Sequence, residues 1–492
     1  MKYCFYKRKK LFLWKISKMV AKIIILSMFF TSCCSTKLVD RVETSLQVDL
    51  KRVGTIKPRD TRQIESSRIT IGCETLDRDY TDFSAYREYL QPLGIKKARL
   101  QGGWAKTEKE KGVYDFKWLD DIIDYLVSVE MIPWVQFGFG NPIYEGGGSI
   151  ERAGGIPVSD EALAAWDKWV EMMVVRYKDR VNEWEIWNEP NLNSTETPEK
   201  CAELNIRTAE IVKRIQPEAK IAGLVMSGDS ENYLDNFLKI ISDANKLDLF
   251  TWITYHSYKM IPENSYAGIE KLNAKLSKYS SKILLRSGEH GALSGYCPSF
   301  ALSNYYWTEY TQAKWNLRAC LGDLGRDIET QVFCIIDVAY LGGRWGDGIL
   351  NIKGLIQSDL TKIAIRRKVA YYSMQHLASI FDNMLECTPD FKYTTDASES
   401  VSVFGFRNTK TQQQLVALWF DSAIPNNSFV TKDVTVTVEN GNFKKPVWVD
   451  MLSGQIYEIP ASKYMKDGTK YTFTVPVYDS PVLIADTALI PH

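Results

Sequence analysis

The chain has 492 residues, the length of about three domains at roughly 150 residues each. Lys and Arg total 61 against 60 Asp and Glu, a formal net charge of +1, which argues against nucleic-acid binding through a broad basic surface. Hydrophobic residues at 45% and charged residues at 25% exclude a mostly disordered or fibrous chain, and only four histidines speak against a His-rich metal centre. Aromatics reach 12%, enough for a large core or for a surface that stacks on flat ligands.

Residues 7–10 are basic, and residues 20–30 are apolar except for Lys22 and Ser27. That run is too short for the ~20 residues of a membrane-spanning helix. After Phe30, Thr31 and Ser32 set small residues ahead of Cys33. The pattern resembles a bacterial lipoprotein signal. The resemblance implies that residues 1–32 are a signal peptide and that Cys33 is lipidated. The product would be exported and anchored to the outer membrane, facing either the periplasm or the exterior; several acyl chains anchor where one binds marginally. Residues 33–66 are polar and read as a tether able to add one strand to the C-terminal domain. Cysteines 73, 201, 297, 320, 334 and 387 show neither CxxC nor zinc spacing, so buried free thiols are expected.

Strand-like and helix-like segments alternate from residue 67 to 383. The strand runs are 69–73, 97–101, 131–137, 183–189, 221–226, 249–256, 283–289 and 331–337. Helical spacing follows each, as with Phe116, Leu119, Ile122, Ile123 and Leu126. Ser159 is placed to cap a helix carrying Leu163, Trp166, Val170, Val174 and Tyr177. Thr197, Pro198 and Glu199 supply a cap, an N1 proline and a first-turn acid. Helices are also expected over 299–324 and 361–380. Eight strand–helix units predict an α/β fold, a (β/α)8 barrel; a doubly wound sheet would more often open on a Gly-rich turn, and none is present.

After residue 383 short β-rich runs separated by turns predict an antiparallel β-sandwich over 384–492. It carries no ordered aromatic platform and is given a structural role. A loop over 141–158, rich in glycine, follows the third strand and belongs on the rim of a barrel site.

The chemistry concentrates at two strand ends. Trp187-Asn188-Glu189-Pro190 closes strand four, and the proline favours an extended Glu189. A kink there would let both Asn188 and Glu189 reach the pocket. Ser287-Gly288-Glu289 sets a second carboxylate at the end of strand seven. Catalytic groups of such barrels converge at C-terminal strand ends, and two facing carboxylates suit glycoside hydrolysis.

These motifs resemble clan A glycoside hydrolases, closest to family 39 and its relatives. Arg99–Trp104 with the segment 110–115, Thr254–Tyr258, and Gly354-Leu355-Ile356 agree with that family's pattern. The resemblance implies that Glu189 is the acid/base and Glu289 the nucleophile of a retaining double displacement. An ionised Glu289 nearby favours the protonated form of Glu189, and loss of that charge on esterification frees Glu189 to act as a base. Asn188 would bind the sugar 2-hydroxyl, Arg99 would hold the nucleophile ionised, and His256 and Tyr258 would border the site. Glu185 reads as an ion-pair partner. Trp104, Trp187 and Trp345 are candidates for stacking on sugar, and Asp337 and the loop 342–345 for further contacts. His290 and Gly291 depart from the aromatic residue common after the nucleophile. No metal or cofactor is implied, and the partners are a carbohydrate and a membrane, with no nucleic acid. The reading is an exo-acting retaining glycosidase; the alternatives are an endo-acting polysaccharidase and a glycan-binding lipoprotein on an inactive barrel.

Overall fold

The computed structural model describes residues 42–151, 155–342 and 345–492. The expected leader and Cys33 lie outside the described residues, as do Gly343 and Arg344 of the loop 342–345. No helix among the described residues is long and apolar enough to cross a membrane.

A short strand, β1 (Lys51–Thr55), precedes eight parallel strands. These are β2 (Ile69–Gly72), β3 (Lys97–Gln101), β4 (Ile132–Phe137), β5 (Glu183–Ile186), β6 (Lys220–Ser227), β7 (Trp252–His256), β8 (Leu284–Glu289) and β9 (Thr330–Val332). β2 through β8 pair in sequence order, and β9 pairs with β2 through Ile69–Thr330, Thr70–Gln331 and Ile71–Val332. A parallel bridge from Arg286 to Glu329 joins β8 to β9 and closes the ring. This is the expected (β/α)8 barrel. Its helices pack one apolar stripe inward; in Lys117–Ser128, Leu119, Ile122, Ile123 and Leu126 are the buried positions.

The barrel interior is unusually charged, where layers of branched apolar side chains are the common filling. Lys97 lies 2.9 Å from Glu183 and 3.0 Å from Glu329, and Arg286 pairs with both glutamates. Arg286 also sits 3.6 Å from the Trp252 ring centroid and 4.1 Å from that of Trp134. Burial would raise the pKa of Glu329, but Arg286 and Lys97 outweigh it and hold that carboxyl at about 2. Paired charges in this layer meet the cost of leaving water.

Helix starts follow local chemistry. The Ser159 hydroxyl accepts from the Ala162 N–H at 3.1 Å, capping Asp160–Tyr177. Ser159→Ala is expected to destabilise the protein by about 1 kcal/mol, read as a lowered denaturation midpoint, with Ser159→Asp retaining most of the stability. Thr197 precedes the helix Pro198–Ile215 without a side-chain cap bond, and the N1 proline and the first-turn Glu199 open the helix.

Two expected helices begin late. The one expected from 299 starts at Glu309, because Phe300, Leu302 and Asn304 take φ of +73°, +65° and +60°, outside the helical region. The one expected from 361 starts at Val369, because Lys362 has φ +66° and the next residues form a hairpin. Strand eight is likewise shorter than 331–337. Beyond it β10 (Val338–Tyr340) pairs with β11 (Ile349–Asn351), and β12 (Ile356–Gln357) with β13 (Arg366–Arg367).

The C-terminal strands are β14 (Leu385–Cys387), β15 (Tyr393–Thr395), β16 (Val401–Asn408), β17 (Gln414–Phe420), β18 (Lys432–Val438), β19 (Pro446–Asp450), β20 (Gln455–Glu458), β21 (Tyr464–Asp467), β22 (Lys470–Val477) and β23 (Val482–Asp486). They form an antiparallel sandwich of two sheets, ordered β1-β20-β19-β23-β17-β16-β14 and β15-β18-β22-β21. β1, from the segment ahead of the barrel, is thus an edge strand of the larger sheet. Val403, Val416, Leu418, Val436 and Phe473 fill the space between the sheets. The other face of the larger sheet packs Phe406, Leu415, Ala417 and Trp419 into the barrel's own core. Lys314, on the helix Glu309–Leu324, reaches across to Asp479 and to the carbonyls of Asn426 and Ser428.

Candidate active site

The C-terminal ends of the barrel strands surround a cavity of about 330 Å³ whose lining includes Glu74, Gln101, Asn188, Glu189, Tyr258 and Glu289. Its far wall is aromatic: Tyr340 lies 4.8 Å from Trp345 and 5.2 Å from Phe300, centroid to centroid. Glu151, from the loop over 141–158, joins the rim, and Tyr80 donates to it at 2.5 Å.

Backbone strain aims the first glutamate. β5 ends at Ile186, and Trp187 and Glu189 then take left-handed φ of +64° and +50°. Glu189 is therefore kinked rather than extended as the following proline suggests. The turn is held by the Trp187 N–H donating to Phe137 O (2.9 Å) and the Glu189 N–H donating to Val225 O (2.8 Å). Strain of this kind persists where the surroundings over-determine it. The second glutamate depends on a glycine: a Cβ on Gly288 would lie 2.0 Å from the Thr254 side chain. The register shifts there, and His256 pairs with Glu289.

His256 lies between the two carboxylates, with Nδ1 3.0 Å from Glu189 Oε1 and 3.7 Å from Glu289 Oε2. Burial opposes charge on His256, but Glu289 and Glu189 raise its pKa above the usual 6.5. The Tyr258 hydroxyl donates to Glu289 Oε1 at 2.7 Å. Beneath them Arg99 is completely buried and reaches three carboxylates: Glu185 at 2.7 Å, Glu74 at 3.0 Å and Glu289 at 3.5 Å. It also donates to Asn188 Oδ1 at 3.1 Å. Gln136 donates to the same oxygen at 3.3 Å, so the Asn188 amide is turned with its NH2 away from these two donors.

Glu74 is the third carboxylate of the pocket. Its Oε1 accepts from Arg99 and from Gln331 (2.7 Å), while Oε2 is buried without a partner. Burial, with repulsion from Glu289, outweighs Arg99 and pushes its pKa up to about 7. A carboxyl raised this way in the fold binds more protons than its unfolded form between the usual 4.5 and about 7, so it loses stability as pH climbs through that window. Glu74→Gln is expected to gain thermal stability relative to the parent on going from pH 5 to pH 8; an unchanged difference contradicts this. Lys353, also at the pocket, donates to the carbonyls of Gly291 (3.1 Å) and Ala301 (2.5 Å). Burial pulls its pKa down to about 7 against the attraction of Glu289.

Of the residues singled out from sequence, Asn188, Glu189, Tyr258, Glu289 and Trp345 line the cavity, and Arg99 and His256 support its carboxylates. Trp104 does not belong to it. That indole is fully buried, donates to Glu108 at 2.6 Å, and packs on Trp166, Trp169 and Tyr144, so no sugar can reach its face. Trp187 is likewise core, at 1% exposure. Asp337 is also structural: it accepts from Lys368 and from the N–H groups of Gly354 and Ser358. Glu185 is an ion-pair partner, as expected. His290 lies outside the cavity lining, buried with Nε2 2.8 Å from Thr330 Oγ1. Sequence reading passed over Glu74, Arg78, Gln101, Phe300, Tyr340 and Lys353. Glu74 directly follows the first strand run, but no proline or glycine beside it marks it out.

Residues 59–317 match the family model for glycosyl hydrolases family 39. A beta-xylosidase of Geobacillus stearothermophilus is 26% identical over 149 residues, covering 27% of this chain. The aligned part spans only 29% of that relative's length. Among solved structures, a family 39 glycoside hydrolase from Bacteroides cellulosilyticus superposes with a TM-score of 0.60 at 18% identity, covering 86% of this chain and 81% of that one. A monomeric beta-xylosidase from Caulobacter crescentus gives a TM-score of 0.55 at 15% identity, covering 89% and 98%. At those identities the structural likeness speaks for the fold. The family model covers more than half of the sequence, and the chain belongs to glycosyl hydrolases family 39.

Proposed function

We propose that this protein is a retaining, exo-acting O-glycoside hydrolase in which Glu189 is the acid/base and Glu289 the nucleophile. The observation that carries the reading is the pair of carboxylates flanking one histidine nitrogen, 3.0 and 3.7 Å away, at the mouth of the barrel. Their facing oxygens are separated by no more than the sum of those two distances. That upper bound reaches only the shortest separations of inverting enzymes, about 6.5–9.5 Å, and takes in the about 5–5.5 Å of retaining ones.

In the first step a Glu289 oxygen bonds to the anomeric carbon as the glycosidic C–O bond breaks, and the Glu189 proton passes to the leaving oxygen. In the second, Glu189 takes a proton from water, the water oxygen bonds to the anomeric carbon, and the ester to Glu289 breaks. Tyr258 and Arg99 orient and charge-balance the nucleophile. Asn188 offers its amide to the 2-hydroxyl of the bound sugar.

Glu151, from the loop over 141–158, lines the cavity, which supports a walled pocket for a terminal sugar. Because curated relatives are named beta-xylosidases, aryl β-xylosides are the first substrates to try, followed by arabinosides, glucosides, galactosides and uronides. Release of the aryl group by the wild type, and sugars from one end only of a reducing-end-labelled oligosaccharide, is the expected result. Internal cuts favour endo action. Sugar binding without turnover across the panel contradicts the enzymatic reading.

The N-terminal lipid anchor and export to the outer membrane belong to the same proposal. They are supported by the basic run 7–10, the apolar run 20–30 and Cys33. Cys33→Ala is expected to leave the protein unacylated in a labelled-palmitate assay.

A further inference from the structure

Arg99 is one cation among three carboxylates, and their shares in it are unequal. Its Nε and Nη2 both donate to Glu185 Oε1, at 2.9 and 2.7 Å. Nη1 remains for the other two, with Glu74 Oε1 at 3.0 Å and Glu289 Oε2 at 3.5 Å. The side chains of Arg99, Glu185 and Glu74 are shut away from water, whereas that of Glu289 is 18% exposed. His256, the other group nearby that can carry positive charge, pairs with Glu189 and Glu289. One buried cation does not balance three anions, so the cluster is most stable when one carboxyl keeps a proton.

Local contacts decide which carboxyl keeps it. Glu185 takes the two guanidinium bonds and a third from Gln136 Nε2 at 2.6 Å. Glu289 accepts from the Tyr258 hydroxyl at 2.7 Å and reaches water. Both settings favour the charged form. Glu74 differs. Its Oε1 accepts from Arg99 and Gln331, but Oε2 is closed in against Gly72, where a Cβ would lie 2.1 Å away, and has no partner. An oxygen with neither donor nor water suits a neutral acid rather than an anion. Burial pushes up the thiols of Cys73 and Cys334 and the phenols of Tyr86 and Tyr258, so these neighbours stay neutral. Arg99 and Glu289 are therefore the charges that Glu74 feels, and its pKa of about 7 agrees with that balance.

Given the reading of Glu289 as the nucleophile, we propose that Glu74 holds the proton of this cluster in the resting enzyme and releases it while Glu289 is esterified. Before the first step Arg99 faces the anions of Glu185 and Glu289, with Glu74 neutral. As a Glu289 oxygen bonds to the anomeric carbon its charge disappears, and the repulsion that kept Glu74 protonated goes with it. The Glu74 O–H bond then breaks, the electron pair stays on the carboxylate, and the proton passes to solvent. Hydrolysis of the ester restores the Glu289 anion, and Glu74 takes a proton back. Arg99 keeps two anionic partners through both steps, so Glu74 is a positioning residue that acts through it.

Infrared spectroscopy of the full chain in H2O and D2O tests both halves of the cycle. Glu189→Gln removes the proton expected on the acid/base. Adding Glu74→Gln, which keeps the volume and an oxygen for Arg99, then assigns any deuterium-sensitive band of a protonated carboxyl. The expected result is a band in Glu189→Gln at pH 6 that disappears by pH 9 and is absent from the double variant. Glu74→Asp in the same background keeps a carboxyl and is expected to keep a band that titrates at a different pH. At pH 6, a 2-deoxy-2-fluoro glycosyl fluoride of the sugar that the enzyme turns over is expected to abolish the band in Glu189→Gln as Glu289 is esterified, with peptide mapping to locate the adduct. Absence of any band that depends on Glu74, or a Glu74 band unmoved by an adduct on Glu289, overturns the inference. A Glu74 band with the adduct on another residue contradicts the nucleophile reading instead.

Discussion

Glu289→Ala is expected to lower kcat/KM by on the order of 10⁴–10⁶-fold, the scale seen when a covalent nucleophile is removed. The loss follows from geometry. Glu289 is the carboxylate that Tyr258 (2.7 Å), Arg99 (3.5 Å) and His256 (3.7 Å) converge on, and it lines the cavity. Alanine leaves that convergence aimed at empty space. Azide, small enough to occupy the gap, is expected to restore turnover of an activated aryl glycoside and to yield a glycosyl azide of inverted configuration. In Glu189→Ala, azide attacks the glycosyl-enzyme instead, and the product keeps the substrate's configuration. A dinitrophenyl leaving group needs no proton, so Glu189→Ala should lose far less of the first step on that substrate than on an alkyl glycoside. Activity of Glu289→Ala within tenfold of the parent contradicts the assignment.

Arg99→Met is expected to cost about 3–5 kcal/mol of stability, the scale for breaking a buried ion pair by removing one partner. Arg99 has no exposed surface and neutralises Glu185 and Glu74, themselves 0% and 2% exposed. Burial alone would disfavour its charge, but Glu185, Glu74 and Glu289 together raise its pKa above an already high value. Methionine fills much of the volume and leaves those carboxylates facing one another. The penalty has a pH signature. It shrinks as pH falls and the orphaned carboxylates take up protons, since the neutral forms no longer need the guanidinium. Chemical denaturation at pH 7 and pH 4.5 measures both quantities. A loss below 1 kcal/mol at pH 7 contradicts the network.

The parts of this architecture that were legible in the sequence share a local cause. Lys97–Gln101 reads as a strand from its own apolar alternation, and Ser159 marks a helix start by a bond to a residue three positions on. Glu189 and Glu289 stand out because Pro190 and Gly288 punctuate the chain beside them. The parts that were not legible depend on distant partners. Glu74 has no such punctuation, and its place in the pocket comes from Arg99 and Gln331 on other strands. Trp104 reads like a sugar platform at a strand end, yet Glu108 and a cluster of tryptophans draw it into the core. The hydrophobic content around residue 300 suggested helix, but three left-handed residues bend that segment toward the aromatic wall of the pocket.

The proposed double displacement predicts a covalent midpoint at which the wild-type reaction stops. A 2-deoxy-2-fluoro glycosyl fluoride of the sugar that the enzyme turns over slows hydrolysis of the covalent intermediate more than its formation. Intact mass followed by peptide mapping after such treatment is predicted to find one fluorosugar per chain, esterified to Glu289. A label on any other residue, or turnover with an inverted product and no covalent adduct, contradicts the account.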